Sequence, residues 1–339
     1  MKRHFRQLLG LLPAVGIMIL IFDSKTALKG AAEGVDLCIR TVIPSLLPFF
    51  ILSAAMTKSF PGNVIRLFSP VVKICGIPSG HEALLLIGLV GGYPVGAKCI
   101  NQAYVSGTLD KHCAIRMLGF CSNAGPSFIF GIAATMFYHQ RTGWFLWFIH
   151  IASAMFTGIL LPDRHVVTTS TKLVKATENN DLITGSLKAL STVCGWVILM
   201  RVINTYFDRW FLWQLSKTAS AAITGFWELT NGCIDLCAIP SESIRFILCS
   251  AMLGFGGICV LLQTVSVTKE LGLGLYIPGK LLQCSLSITL ASLLSLILFR
   301  EQNINAYPYL IISASAVLII TFLTRAFKKR SRFFEIVCV

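Results

Sequence analysis

Four clusters of glycine, proline and polar residues interrupt otherwise apolar stretches of the chain. The first is Gly91-Gly92-Tyr93-Pro94-Val95-Gly96-Ala97-Lys98-Cys99. A phosphate-binding loop needs lysine directly after its last glycine and then a hydroxyl for magnesium. Here Ala97 intervenes and Cys99 replaces the hydroxyl. The better reading is a membrane-buried helix break whose freed N–H and C=O groups can hold a polar ligand. Lys98 either reaches that ligand or snorkels out from a helix end.

The second cluster is Ser122-Asn123-Ala124-Gly125-Pro126-Ser127. Pro126 has no N–H, so the Ser122 carbonyl four residues upstream loses its helical donor. Ser122, Asn123 and Ser127 add donors and acceptors at the same depth. This is either a proline kink packed by small residues or a polar ligand wall, because asparagine in hydrocarbon is costly unless paired or used. The third cluster, Glu228-Leu229-Thr230-Asn231-Gly232, places an acid at the membrane surface or turns it inward with Asn231. The fourth is Gly254-Phe255-Gly256-Gly257 with Gln263, the only amide in the uncharged run 246–268. The candidate substrate-binding residues are therefore Gly91, Gly92, Tyr93, Pro94, Lys98, Ser122, Asn123, Ser127, Glu228, Asn231, Gly256, Gly257 and Gln263.

Catalytic chemistry is not expected. The six histidines form no H-E-x-x-H pair, no G-x-S-x-G elbow occurs, and His150 reads as a packed residue in an aromatic span. The 12 cysteines are scattered; Cys233 and Cys237 share a helix face, but no histidine lies near them in sequence. The expectation is no enzyme, no metal and no cofactor.

The elements that must position these clusters follow from composition. Of 339 residues only 13% are charged, against about 25% in a soluble domain, and mean hydropathy is +0.75. The net charge of +14 reads as membrane-flanking bases rather than a nucleic-acid surface. Runs long enough, or nearly so, to cross ~30 Å of hydrocarbon are 41–57, 117–140, 142–162, 246–268, 281–299 and 302–324. Weaker candidates are 7–22, 83–97 and 182–207, the last interrupted by Lys188 and Arg201. The expected fold is all-α: a polytopic membrane protein of 8–9 hydrophobic segments with broken or re-entrant helices. Segment 82–108 either crosses or re-enters, and 64–75 has the pattern of a short interfacial amphipathic helix.

Basic residues at both ends (Lys2, Arg3, Arg6; Arg325, Lys328, Lys329, Arg330, Arg332) place both termini in the cytoplasm, with a retained first helix. At an offset of 165 residues Gly91/Gly256, Gly92/Gly257, Val95/Val260 and Gly107/Gly272 coincide, and Lys98 falls on Gln263. This suggests two repeats, with a site where their broken helices meet near the midplane. The expected organisation is an N-terminal membrane helix (1–30), a first repeat (31–162), a polar linker (163–181), a second repeat (182–325) and a basic tail (326–339).

Five motifs together resemble one family: Ile43-Pro44-Ser45-Leu46-Leu47-Pro48-Phe49-Phe50, Gly91–Lys98, Ser122–Gly131, Glu228–Gly232 and Leu253–Gly257. It is the sporulation integral membrane proteins of the YlbJ type, within the nucleoside-recognition (Gate) domain superfamily. The resemblance runs from about residue 30 to 325. It implies two Gate-like repeats, a role in spore formation, and a distant likeness to concentrative nucleoside transporters, in which helical hairpins supply the ligand site. Where those transporters carry a hairpin acid, this chain has Tyr93 and Lys98, so an anion is as compatible as a nucleoside. The leading expectation is a transporter or permease-like protein for a small polar solute in the cell membrane. The alternative is a non-transporting scaffold whose basic tail recruits other spore-envelope proteins. Expected partners are the lipid bilayer, the solute, and further copies of the chain or those proteins, with no nucleic acid.

Overall fold

The computed structural model describes residues 13–59, 69–139, 141–162, 182–268, 271–299 and 307–337. The N-terminal bases, the 163–181 linker and residues 64–68 of the amphipathic segment lie outside them, as do the side chains of the tail from residue 327 onward. The described chain is helical, with no strand among the described residues. It is a multi-pass membrane protein: among the described residues, six helical stretches are long and apolar enough to cross a bilayer.

The first half begins with α1 (Pro13–Phe22), α2 (Ser24–Leu37) and α3 (Ile43–Ser59). A π-helical turn at Cys38–Val42 joins α2 to α3, so one span runs Ser24–Leu52 rather than starting at residue 41. After the short α4 (Ser69–Ile74) come α5 (Glu82–Val90) and α6 (Val95–Val105). At 1.5 Å per residue neither arm reaches across ~30 Å of hydrocarbon. They fold back on each other as a hairpin, because Gly88 and Gly96 leave room for direct backbone contact. Then follow α7 (Lys111–Leu118), α8 (Pro126–Gly131) and the long α9 (Arg141–Leu160).

The run 117–140, counted as one span by hydropathy but expected to be broken at Ser122–Ser127, is not one helix. It is interrupted from Gly119 to Gly125, and α8 starts with Pro126 at its first position. Hydropathy does not register a break made by glycine and proline within apolar residues.

The second half opens with α10 (Leu182–Trp210), a single helix despite its charges. Arg201 is neutralised by Glu33 of α2 at 2.8 Å, and Gly30 and Gly34 let α2 approach to the backbone of Val202 and Ile198. This is the small-xxx-small packing of membrane helices. Helices α11 (Lys217–Trp227) and α12 (Leu229–Asp235) form a second hairpin, closed where Gly225 and Gly232 touch. Helices α13 (Glu242–Phe255) and α14 (Gly257–Val267) continue one 26-residue span through a break at Gly256. The long α15 (Tyr276–Leu298) and α16 (Tyr307–Val337) complete the chain.

Gly91-Gly92 therefore turns a hairpin, whereas Gly256-Gly257 interrupts a continuing span. The 165-residue frame sets unlike elements against each other. Both places use glycine for the same backbone reason, a positive φ of 74° at Gly92 and 86° at Gly256. In element order the hairpin α5–α6, the broken α7–α8 and the long α9 are followed by the hairpin α11–α12, the broken α13–α14 and the long α15.

The hairpin contacts set a test. Gly88→Val forces a side chain into the Cys121 carbonyl and is expected to cost roughly 1–3 kcal/mol. Gly195→Ala in α10 meets open space and is expected to be neutral or stabilising by up to ~1 kcal/mol. Melting temperatures of the purified variants check both.

Candidate functional site

The two hairpin tips and the two helix breaks come together. Gly92 at the first tip lies against Gly125 in the first break, and Gly257 in the second break lies against the carbonyls of Gly225, Phe226 and Trp227 at the second tip. Tyr93 then crosses between the halves. Its hydroxyl donates to the Leu253 carbonyl at 3.4 Å, in the last turn before Gly256.

Between these parts lies a cavity of ≈ 50 Å³. Its polar lining is Tyr93, Ser127, Glu228, Thr230 and Gln263, with Gly92 and Gly125 contributing backbone. Leu46 and Phe50 of α3, Phe128 of α8 and Val193 and Val197 of α10 close it with apolar surface. A single water needs on the order of 10–15 Å³, so the space as it stands holds a few waters.

Gly92, Tyr93, Ser127, Glu228 and Gln263, expected from sequence to bind ligand, are thus in one lining. Glu228 is buried, at 3% exposure, and turned inward like Asn231. Its two carboxylate oxygens accept from the backbone N–H groups of Thr230 at 2.9 Å and Asn231 at 2.6 Å, capping α12. Gln263 is held by a contact from its Nε2 to Cys259 Sγ at 3.3 Å. Asn231 is buried in α12 with its side-chain Nδ2 unpartnered. Gly91 and Pro94 flank the first tip, and Gly256 sits beneath the Tyr93 ring.

Ser122 and Asn123 are buried in the break but do not line the cavity. Lys98 is exposed on α6 and is not part of the lining either. A long aliphatic stem lets a helix-end lysine reach outward instead.

Sequence reasoning passed over the groups that satisfy the first break. Lys280 of α15, at 1% exposure, donates from Nζ to the Ser122 carbonyl and to Gln283 Oε1 at 2.8 Å, and its third N–H is shared between Asn123 Oδ1 and the Tyr93 hydroxyl at 3.4 Å each. Gln283 Nε2 donates to Asn123 Oδ1 at 2.9 Å, and Asn123 Nδ2 to the Phe120 carbonyl at 2.7 Å. The Ala124 N–H, also in the break, donates to His150 Nε2 at 3.1 Å. His150 is thus packed, as expected, and also serves the backbone. Lys280 directly follows Pro278-Gly279 and precedes the apolar run 281–299, where it reads as a boundary charge. Its position as the fifth residue of a continuous span was the signal available.

Fold and site together describe a multi-pass helical membrane protein with an internal polar site at two interrupted helices. The chain is similar to a Bacillus subtilis protein named sporulation integral membrane protein YlbJ, with 24% identity over an alignment covering 74% of this chain and 72% of that one. No family model matches the chain, and no solved structure matches it significantly.

Two substitutions separate the buried network from the surface. Asn123→Leu removes the acceptor of Lys280 and Gln283 and the donor to Phe120, and is expected to lower stability by about 2–4 kcal/mol. Lys98→Gln is expected to stay within about 0.5 kcal/mol of the parent. Thermal unfolding of both in detergent is the check.

Proposed function

We propose that the chain is a sporulation-associated transporter or permease-like protein that passes a small polar solute through the cavity between its two hairpin tips. The observation that carries this reading is the convergence of both tips and both breaks on one buried lining containing Tyr93, Ser127, Glu228, Thr230 and Gln263. Paired interrupted helices meeting inside the membrane are the general architecture of a solute site in secondary transporters. The sporulation assignment rests on the likeness to the Bacillus subtilis protein.

The two halves are repeats, in a register that places α5–α6 with α11–α12 and α7–α8 with α13–α14. Gly88 then corresponds to Gly225 and Gly96 to Gly232, the glycines that close each hairpin. Both termini are cytoplasmic, and no chemical conversion of the solute takes place. The lining carries one acid, Glu228, and no base, which favours an uncharged polar solute such as a nucleoside over an anion. A solute of that size exceeds the present cavity, so passage requires a hairpin to swing away from its break.

Proteoliposome uptake screened across nucleosides and small anions tests the reading. Glu228→Gln and Gln263→Leu are each expected to reduce uptake of the accepted solute at least about 10-fold, with Lys98→Gln close to the parent. Deleting residues 326–339 is expected to leave both uptake and spore formation largely intact. Lost spore formation on that deletion, with no solute moved by the parent protein, would establish the scaffold instead.

A further inference from the structure

The buried ammonium of Lys280 is surrounded by oxygen atoms supplied from three separate elements. The Ser122 carbonyl can only accept. The Tyr93 hydroxyl donates to Leu253, so its oxygen accepts from Lys280. Asn123 spends its Nδ2 on Phe120 and Gln283 spends its Nε2 on Asn123, so both amides turn oxygen toward the Nζ. The Tyr93 ring lies beside the same charge, 5.3 Å from its centroid. No carboxylate is among these partners.

Such a shell (one freed backbone carbonyl, one hydroxyl, two amide oxygens, no acid) has the ligand chemistry of a monovalent hard cation. Oxygen donors of this kind bind alkali ions, and unwound backbone carbonyls are where transporters hold a coupling cation. An acid partner would instead have indicated an ordinary buried ion pair.

We propose that the first helix break is a monovalent-cation site occupied permanently by the protein's own Lys280 ammonium. The tethered charge satisfies the Ser122 carbonyl and fixes the first hairpin tip, through Tyr93, against the break and against α13. The break therefore needs no sodium or potassium ion to stay formed. If the transporter reading holds, an alkali ion bound at this place does not drive the cycle. The occupancy itself does not depend on that reading, and its test does not require transport.

The test is chemical replacement of the tethered charge. Lys280→Ala leaves an oxygen-lined hole, and its melting temperature is expected to fall by about 5–10 °C. Ammonium, methylammonium or sodium chloride is expected to restore at least about half of that loss, relative to choline chloride at equal ionic strength, and to leave the parent unchanged. Lys280→Met keeps the stem but fills the space with a group that cannot donate, so it is expected to melt low and show no rescue. The same comparison by protease resistance in native membranes covers a variant too weak for detergent. Equal behaviour of Lys280→Ala in small cations and in choline would overturn the proposal, as would a Lys280→Met protein as stable as the parent.

Discussion

A carbonyl without a donor, inside apolar surroundings, is the constraint from which the rest of the site follows. Pro126 removes the N–H that would have served Ser122, and burying such a group unpaired costs several kcal/mol. Lys280 meets that need from a helix 158 residues away. Its own charge must then be met in turn, and Asn123, Gln283 and Tyr93 do so. Tyr93 reaches the cluster only because the Gly91–Pro94 turn brings the first hairpin tip to the break. The helix break, the hairpin and the packing of α15 across the first half are thus mutually dependent.

The second half solves the same backbone problem with other materials. Gly256 adopts a left-handed conformation that ends α13, and its N–H returns to the Met252 carbonyl. Glu228 caps α12 at the hairpin tip, and the lack of a side chain on Gly257 admits the tip carbonyls. Each half therefore presents one hairpin tip against one interrupted helix, and the cavity lies where the two arrangements face each other. Glycine at Gly88, Gly96, Gly225 and Gly232 lets the hairpin arms close tightly.

The break at Pro126 and its orphaned Ser122 carbonyl were legible in the sequence, because proline's missing donor acts locally. The shared lining of Gly92, Tyr93, Ser127, Glu228 and Gln263 was legible as well, since costly polar groups in apolar runs are few. Lys280 was not, because a lysine near the start of a span looks the same whether it snorkels outward or turns inward. Only the distant partner decides. Hydropathy alone counts 117–140 as one span across the break at Pro126, because glycine and proline stop a helix without adding charge. Span 182–207 was undervalued because Arg201 looks expensive until Glu33 is brought beside it. The 165-residue frame was drawn by Gly-Gly pairs that share a need for positive φ but turn a hairpin in one place and break a span in the other.

The central claim is that Lys280 and the first helix break are energetically one unit. A double-mutant cycle measures this directly, with Lys280→Met, Asn123→Leu and the double variant followed by thermal unfolding against the parent. Mutual dependence is expected to appear as a coupling energy of about 1–3 kcal/mol, the double variant losing much less than the sum of the single losses. Additive losses, with a coupling energy near zero, would contradict it.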